Sequence, residues 1–152
     1  MNLFADIDPE FAVNPTQKGF IMSDGGSRGN PGIAGSGAVL YDMNKKEIGR
    51  DGIFCGVQTN NFAEYEGMIC GLNLALKNNV TDLEVYMDSK LIVEQMSGRW
   101  KVKNANIKPL FERGKNIAKQ FEKISYHHVR REKNTVADSI ANEVMDRGGY
   151  VA

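Results

Sequence analysis

Four acidic residues lie where predicted strands end or predicted helices begin. Asp24 and Asp88 each close a short apolar run, while Glu64 and Asp138 lie in the first turns of two predicted helices. Each alone has a structural explanation, because acidic residues form turns and favour helix N-termini. Carboxylates that share one crevice, with no His or Cys beside them, suit a hard cation such as Mg²⁺. Several of them could hold two such ions for in-line displacement at phosphorus.

The strands that must carry these acids are short runs rich in apolar residues. The first three are joined by short connections, including a loop of Gly and Pro at 25–32, which predicts an antiparallel meander. The last two follow helices, which predicts that they run parallel to the first strand. The predicted strands cover residues 19–24, 33–42, 47–57, 83–88 and 124–129.

Helical spacing of apolar residues predicts four helices. We expect N-caps at Asn60, Ser89 and Asn134, and Pro109 in the first turn of the third helix. The last helix is expected to end at Gly148-Gly149. The predicted helices cover residues 61–77, 89–97, 107–123 and 134–147.

The order β-β-β-α-β-α-α-β-α predicts an α/β fold: a mixed five-stranded sheet, three strands antiparallel and two parallel, with helices on both faces. The carboxyl ends of parallel strands meet at one edge of a sheet, where ligands bind in open α/β folds. Asp24 and Asp88 should therefore project into one crevice.

Composition limits the partners. Lys+Arg and Asp+Glu number 19 each among 152 residues, yet residues 99–133 hold 11 basic against 3 acidic residues, so this stretch should face something acidic. No apolar run is long enough for a membrane span and no secretory signal is evident, so we expect a cytoplasmic protein whose Cys55 and Cys70 are free thiols. We expect residues 1–18 to be an extension and residues 19–152 to form one domain.

Four segments are similar to type 1 ribonuclease H, in the order and spacing of that family. They are SDGGSRGNPG (23–32), TNNFAEYEG (59–67), VYMDSKLIV (85–93) and HVRREKNTVADSIAN (128–142), and the resemblance spans residues 18–147. It implies the ribonuclease H-like fold and hydrolysis of the RNA strand of RNA–DNA hybrids, with 5′-phosphate and 3′-hydroxyl products. The acids that match the family's metal ligands are Asp24, Glu64, Asp88 and Asp138. It also implies two Mg²⁺ ions, with Mn²⁺ as a substitute, and we expect a monomer.

The resemblance extends to positions that contact the hybrid. A Gly-rich loop at Gly25 lets backbone approach a sugar–phosphate chain, and Ser27 and Ser89 could contact a 2′-hydroxyl. Turn and cap chemistry is the alternative explanation for the polar residues. The positions that match polar contacts of the family are Asn30, Thr59, Asn60 and Asn61.

A basic loop supplies a second candidate contact. Trp100, Lys101 and Lys103 place an aromatic ring among positive charges, as suits a sugar or base beside phosphates. The alternative is a Trp packed on the helices with solvated lysines. Some family members have a longer basic handle with an extra helix at this place, whereas this chain has a short loop. Arg131 could contact phosphates near the scissile bond.

Histidine is the point of departure from many family members, which place a mobile His before the last helix. An ungapped count back from Asp138 matches His128, beside His127. The short RREKN loop instead resembles the variant of the family with H-V-x-R-E-x-N before the A-D pair. We therefore expect His128 to lie in the last strand with a structural role.

Other functions stay open at this point. Junction resolvases of the same fold also use carboxylates and Mg²⁺, but usually lack T-N-N-x-x-E together with G-N-P-G. A non-catalytic nucleic-acid-binding module would explain the basic stretch but not four intact acids. Kinases of the actin-like fold need two such domains, which 152 residues do not allow.

Overall fold

The computed structural model describes residues 17–148, which form a five-stranded mixed sheet flanked by helices. The strands lie in the order β3-β2-β1-β4-β5. β1 pairs antiparallel with β2, and β2 with β3, while β4 runs parallel to both β1 and β5. The predicted fold class is therefore confirmed. The strands are β1 (Lys18–Gly29), β2 (Gly32–Asp42), β3 (Glu47–Gln58), β4 (Asp82–Met87) and β5 (Lys123–His128).

Helices cover both faces of the sheet. Ser36 of β2 donates a hydrogen bond to the Ala63 carbonyl of α1, and its neighbour Gly37 contacts Ala137 of α4. Consecutive strand residues point to opposite faces, so α1 and α4 lie on opposite sides. No helix within residues 17–148 is long and apolar enough to span a membrane. The helices are α1 (Asn60–Lys77), α2 (Lys90–Met96), α3 (Lys108–Ala118) and α4 (Thr135–Gly148), with a 3-10 turn at Arg131–Lys133.

The contact between α1 and β1 is close because glycines remove side chains from it. A Cβ on Gly25 would lie 2.1 Å from the Ala63 carbonyl oxygen, and one on Gly67 would lie 2.4 Å from the Asp24 carbonyl oxygen. Neither position has room for a larger residue. This close approach brings the part of α1 that carries Glu64 against the part of β1 that carries Asp24.

The prediction of a loop at residues 25–32 is wrong for most of that stretch. β1 continues through Gly29, and Gly25 pairs with Ser36 of β2, so the two strands form one long hairpin. Only Asn30 and Pro31 lie between them. In the sequence the glycines of this stretch indicate a loop, whereas in the structure they allow close packing within a strand. Asp24 therefore lies inside β1, directly after its parallel pairing with β4 ends at Ser23.

The N-cap of α1 is Thr59, not Asn60. The Thr59 hydroxyl accepts a hydrogen bond from the Phe62 amide at 3.2 Å. Asn60 begins the helix, because its side chain is engaged by Ser27 instead. Glu64 is consequently the fifth helical residue, in the second turn rather than the first.

The third helix is shorter than predicted. α3 ends at Ala118, and tight turns then place Phe121 in the core, with 7% of its surface exposed. β5 starts at Lys123 and ends at His128, one residue before the predicted end.

At the last helix, the Asn134 side chain does not act as a cap, because its Oδ1 accepts no hydrogen bond from residues 17–148. Its side-chain amide instead donates to the Ser23 carbonyl at 2.8 Å. Pro109 lies in the first turn of α3 and Ser89 caps α2, as predicted. The predicted extension lies outside the described residues, except for its last two.

Candidate active site

A pocket of about 260 Å³ opens where β1 and β4 end their parallel pairing, between α1 and α4. Three elements converge here because α1 packs closely on β1 and α4 packs on the opposite face. Four carboxylates line the pocket, and each comes from a different part of the fold: Asp24 from β1, Glu64 from α1, Asp88 from the end of β4 and Asp138 from α4.

Asp24 is the most buried of the four, with 8% of its surface exposed. Burial, then the charge of Asp88, then a hydrogen bond with the Asp138 side chain raise the pKa of Asp24 to about 8. A hydrogen bond between two carboxyl groups needs a proton on one of them. Without a cation beside it, the Asp24 carboxyl therefore keeps its proton at neutral pH, and a bound cation would lower its pKa again.

The pKa of Glu64 is raised as well. Burial raises the pKa of Glu64 to about 7, and the charge of Asp88 adds to the increase, while a hydrogen bond from Ser89 opposes it. The Ser89 oxygen also accepts from the Ile92 amide at 3.4 Å as the cap of α2. Ser89 thus joins Glu64 to the start of α2 and has a structural role at this site.

Asp88 faces the basic residue that the sequence placed near the site. Burial raises the pKa of Asp88, and the Arg131 guanidinium opposes that increase. Arg131 Nε lies 4.0 Å from Asp88 Oδ2, and the Arg131 side chain is 90% exposed. Arg131 also lines the pocket. Its donors are therefore free to turn toward an anion in the cleft.

Asn134 connects β1 to the start of α4, and sequence analysis interpreted it only as a cap. It is 1% exposed, and its bond to the Ser23 carbonyl ties the backbone beside Asp24 to the helix that carries Asp138. No local pattern reveals this contact, because the two residues are 111 positions apart.

Asn142 and Arg28 line the pocket and were not singled out from the sequence. Asn142 donates to the Asp138 carbonyl at 3.0 Å and to its side chain at 3.4 Å. Its spacing of four residues from Asp138 on a helix is the signal that could have found it. Arg28 donates to the Asn142 carbonyl at 3.3 Å and pairs with Asp146.

The polar residues predicted to contact substrate form a network among themselves. The Asn60 side-chain oxygen accepts from the Ser27 amide at 2.8 Å and from its hydroxyl at 2.9 Å. The backbone N–H of Asn60 in turn donates to the side-chain oxygen of Asn30 at 3.1 Å. This network ties the β1–β2 hairpin to the start of α1. Of these residues, Ser27 and Asn60 line the pocket, as does the predicted Gly25.

The remaining predicted contacts lie outside the pocket lining. Thr59 is the cap of α1, and Asn61 is exposed at its start. Trp100 is 47% exposed, so it is not packed away among the helices. Lys101 and Lys103 are exposed on the same loop, which joins α2 to α3 without an additional helix.

His128 is the last residue of β5 and is exposed. Its Nε2 lies 3.2 Å from the Asp88 carbonyl oxygen. The expected position in the strand is confirmed. The ring is not packed in a core; it is hydrogen-bonded to the backbone of Asp88 and also interacts with the charge of the Asp88 carboxylate.

The donors of the pocket suit a hard divalent cation, because they are carboxylate oxygens without sulfur or imidazole. Across residues 17–148, no three Asp, Glu, His or Cys side chains converge as a ready ligand set for one ion. Asp138 is exposed and can turn, whereas Asp24 is held by burial. The residues therefore fit a metal site by type and by position around one pocket.

Comparison with known proteins decides the family. A profile of the reverse transcriptase-like family matches residues 22–144, which include all four carboxylates. A ribonuclease HI of Halobacterium salinarum is 35% identical over 136 residues, covering 88% of this chain and 68% of that protein. The chain belongs to the type 1 ribonuclease H family.

Solved structures agree with this family assignment. The N-terminal RNase H domain of Rv2228c from Mycobacterium tuberculosis superposes with a TM-score of 0.85 at 47% identity, covering 88% of this chain and 97% of that one. LC11-RNase H1, in a complex with an RNA/DNA hybrid, superposes with a TM-score of 0.81 at 37% identity over 87% and 99% of the two chains. The full Rv2228c protein, named bifunctional, is much longer, and the alignment with this ribonuclease H-family chain spans 36% of it.

Proposed function

We propose that this chain is an endonuclease that hydrolyses the RNA strand of RNA–DNA hybrids and leaves 5′-phosphate and 3′-hydroxyl ends. The observation that carries the proposal is the pocket lined by four carboxylates in a chain of the ribonuclease H family. The hybrid bound to the similar LC11-RNase H1 supports the substrate.

Asp24, Glu64, Asp88 and Asp138 would hold two Mg²⁺ ions, or Mn²⁺ in their place. When bound, these ions would supply an activated water and neutralise charge that develops on the phosphate. The raised pKa values of Asp24 and Glu64 support this role, because both carboxyls gain most from a nearby cation.

The other residues of the pocket bind and orient the substrate in this proposal. Arg131 would donate to phosphate oxygens beside the scissile bond. Asn60, whose oxygen is engaged by Ser27, still has its side-chain amide hydrogens to offer to the hybrid. Gly25 lines the pocket, and its missing side chain lets α1 pack on β1 and bring Glu64 beside Asp24. Ser89 orients Glu64 rather than contacting substrate.

The basic surface outside the pocket would bind the rest of the hybrid through its positive charge. Trp100, Lys101 and Lys103 lie exposed on the loop after α2, and the stretch 99–133 has a net charge of +8. Phosphate contacts of this kind act on every sequence alike. Asn30, Thr59 and Asn61 are included in the proposal as secondary contacts with either strand.

The test is cleavage of end-labelled RNA–DNA hybrid, duplex DNA, duplex RNA and a four-way junction, each with Mg²⁺, Mn²⁺ or EDTA. We expect cleavage of the hybrid's RNA strand alone, only with a divalent ion, and end-group mapping should find the stated termini. Cutting of the junction would favour a resolvase instead, and binding without cleavage would favour a non-catalytic module.

Variants separate chemistry from binding in the same assay. Asp24→Asn and Asp88→Asn each remove a negative ligand while keeping the side chain's shape, so we expect losses of several orders of magnitude with hybrid binding in EDTA retained. Glu112→Gln, an exposed change on α3, is the matched control. Near-normal cleavage by Asp24→Asn would refute the assignment. The proposal also includes residues 19–152 as one catalytic domain that acts as a monomer, which sedimentation velocity tests.

A further inference from the structure

A second and larger cavity, of about 550 Å³, lies on the sheet face that also carries α4. Phe20 and Met22 alternate with the buried Ile21 and Ser23, so they point away from α1. α4 packs mainly on β2 and β3 and leaves this part of the face uncovered. We call it the aromatic groove, and the residues that line it are Phe20, Met22, Tyr41, Met43, Lys45, Glu84, Tyr86, Val129 and Lys133.

A row of rings crosses the sheet beneath the groove. Phe20 stacks on Tyr41 with centroids 5.0 Å apart and meets Tyr86 edge-on at 5.7 Å. Tyr86 stacks on His127 at 4.9 Å. The rings are only half-buried, and Met43 at the rim is 45% exposed. Together these side chains form one apolar surface against which a further ring or aliphatic side chain could pack.

The rim of the groove has unpaired positive charge. Within residues 17–148, neither Lys45 nor Lys133 has an acidic partner within 4.0 Å. Glu84 is already paired with Lys18 at 3.5 Å. The groove therefore suits an occupant that is both apolar and acidic.

The segment of this chain before Gln17 has that composition and starts beside the groove. Gln17 is anchored by Thr81, which receives a hydrogen bond from the Gln17 amide at 2.9 Å, and Phe20 of the groove follows three residues later. Sixteen residues can extend to about 50 Å, which is ample for this distance. Residues 1–16 contain no Lys or Arg; their acidic residues are Asp6, Asp8 and Glu10, and their larger apolar residues are Met1, Leu3, Phe4, Ile7, Phe11 and Val13.

We propose that residues 1–16 bind in the aromatic groove of their own chain, with Phe4 or Phe11 against the rings and the acidic residues toward Lys45 and Lys133. Attachment at Gln17 makes the contact intramolecular, so its effective concentration is in the millimolar range and modest contacts suffice. The occupant is thus a part of this chain rather than a second protein.

Tryptophan fluorescence of the full chain tests this proposal. Trp100→Phe removes the single native Trp, and Phe4→Trp or Phe11→Trp then reports on the segment. We expect at least one reporter to be blue-shifted and quenched by acrylamide about twofold less than in urea, because a docked ring is shielded. The double change Met43→Ser and Lys45→Glu in the groove should remove that shielding.

Val57→Ser supplies the matched control, because Val57 is 67% exposed on β3, away from the groove. It should leave both reporters unchanged, and circular dichroism should show that all variants fold. The proposal would be overturned if acrylamide quenched both Trp reporters as strongly in the folded protein as in urea. It would also be overturned if the double change in the groove left the shielding of the reporters unchanged. Shielding that disappears on dilution, with a dimer in sedimentation, would assign the groove to a second copy and overturn it too. None of these readouts involves cleavage, so the result is independent of the proposed function.

Discussion

Replacing Asp24 by Asn should stabilise the metal-free protein, and the gain should grow with pH. The pKa of Asp24 is raised from 3.8 to about 8 by burial, by the charge of Asp88 and by the hydrogen bond with Asp138. Between these two pH values the folded protein keeps a proton that the unfolded chain releases, so the free energy of unfolding falls as pH rises. Asn removes this titration, and its amide can still donate to Asp138.

The size of the effect follows from the shift in pKa. Each unit corresponds to about 1.4 kcal/mol, and pH 7 lies about three units above the ordinary value for Asp, so the ceiling is about 4 kcal/mol. We expect Asp24→Asn to be more stable than the parent by about 2–4 kcal/mol at pH 7, and by little at pH 4.5. Mg²⁺ should then raise the stability of the parent more than that of the variant, because the variant has lost one negative ligand.

Urea unfolding in EDTA at pH 4.5, 6, 7 and 8 measures this difference. Glu112→Gln controls for the loss of a carboxylate as such, because Glu112 is exposed on α3 and makes no ion pair within the described part of the chain. Parallel pH curves for Asp24→Asn and the parent would refute the reasoning, since they would mean that Asp24 is ionised in the folded protein throughout. A variant less stable than its parent at pH 8 would refute it as well.

Three further outcomes are expected. Neutralising Lys101 and Lys103 together should weaken binding to all hybrid sequences alike. Salt titrations should show that the slope of log affinity against log salt concentration falls by roughly 0.7–0.9 for each lost phosphate contact. An unchanged slope would mean that other residues bind the phosphates. Trp100→Ala should change the free energy of unfolding by less than about 1 kcal/mol, because the ring is half exposed. It should nevertheless weaken hybrid binding, and an unchanged affinity for the hybrid would contradict a stacking role for the ring. His128→Ala should lower kcat less than about tenfold, whereas Arg131→Ala should lower it more, because the His128 ring is hydrogen-bonded to backbone outside the pocket lining and Arg131 lines the pocket. A folded His128→Ala variant that loses a hundredfold in kcat would reverse these roles.

The sequence by itself determined the order of the elements and which element carries or adjoins each of the four acids. Periodicity changes from two to 3.6 after residue 58, and each helix that joins parallel strands has its own start signal. Such information is local, since a strand or helix is specified by neighbours in the chain. The placement of Asp24 and Asp88 at one sheet edge then follows from parallel pairing, which short connections cannot achieve.

Contacts between distant residues were decided only by the tertiary structure. Asn60 and Asn134 both have good cap chemistry, yet their side chains bind Ser27 and Ser23, which lie 33 and 111 positions away. The run from Gly25 to Gly29 has the composition of a loop, but packing against α1 and pairing with β2 make it strand. Local propensity differs between such alternatives by about 1 kcal/mol, so one hydrogen bond or one close contact is enough to reverse it.

The electrostatic state of the pocket and the aromatic groove are likewise tertiary properties. The pKa of Asp24 depends on burial by α1 and α4 and on two carboxylates from other elements, none of which is its neighbour in sequence. The rings of Phe20, Tyr41 and Tyr86 come from three strands, and they form one surface because β1 pairs with β2 on one side and with β4 on the other. A linear pattern specifies which residues a strand carries, whereas the partners of each side chain are set only when the sheet assembles and the helices cover it.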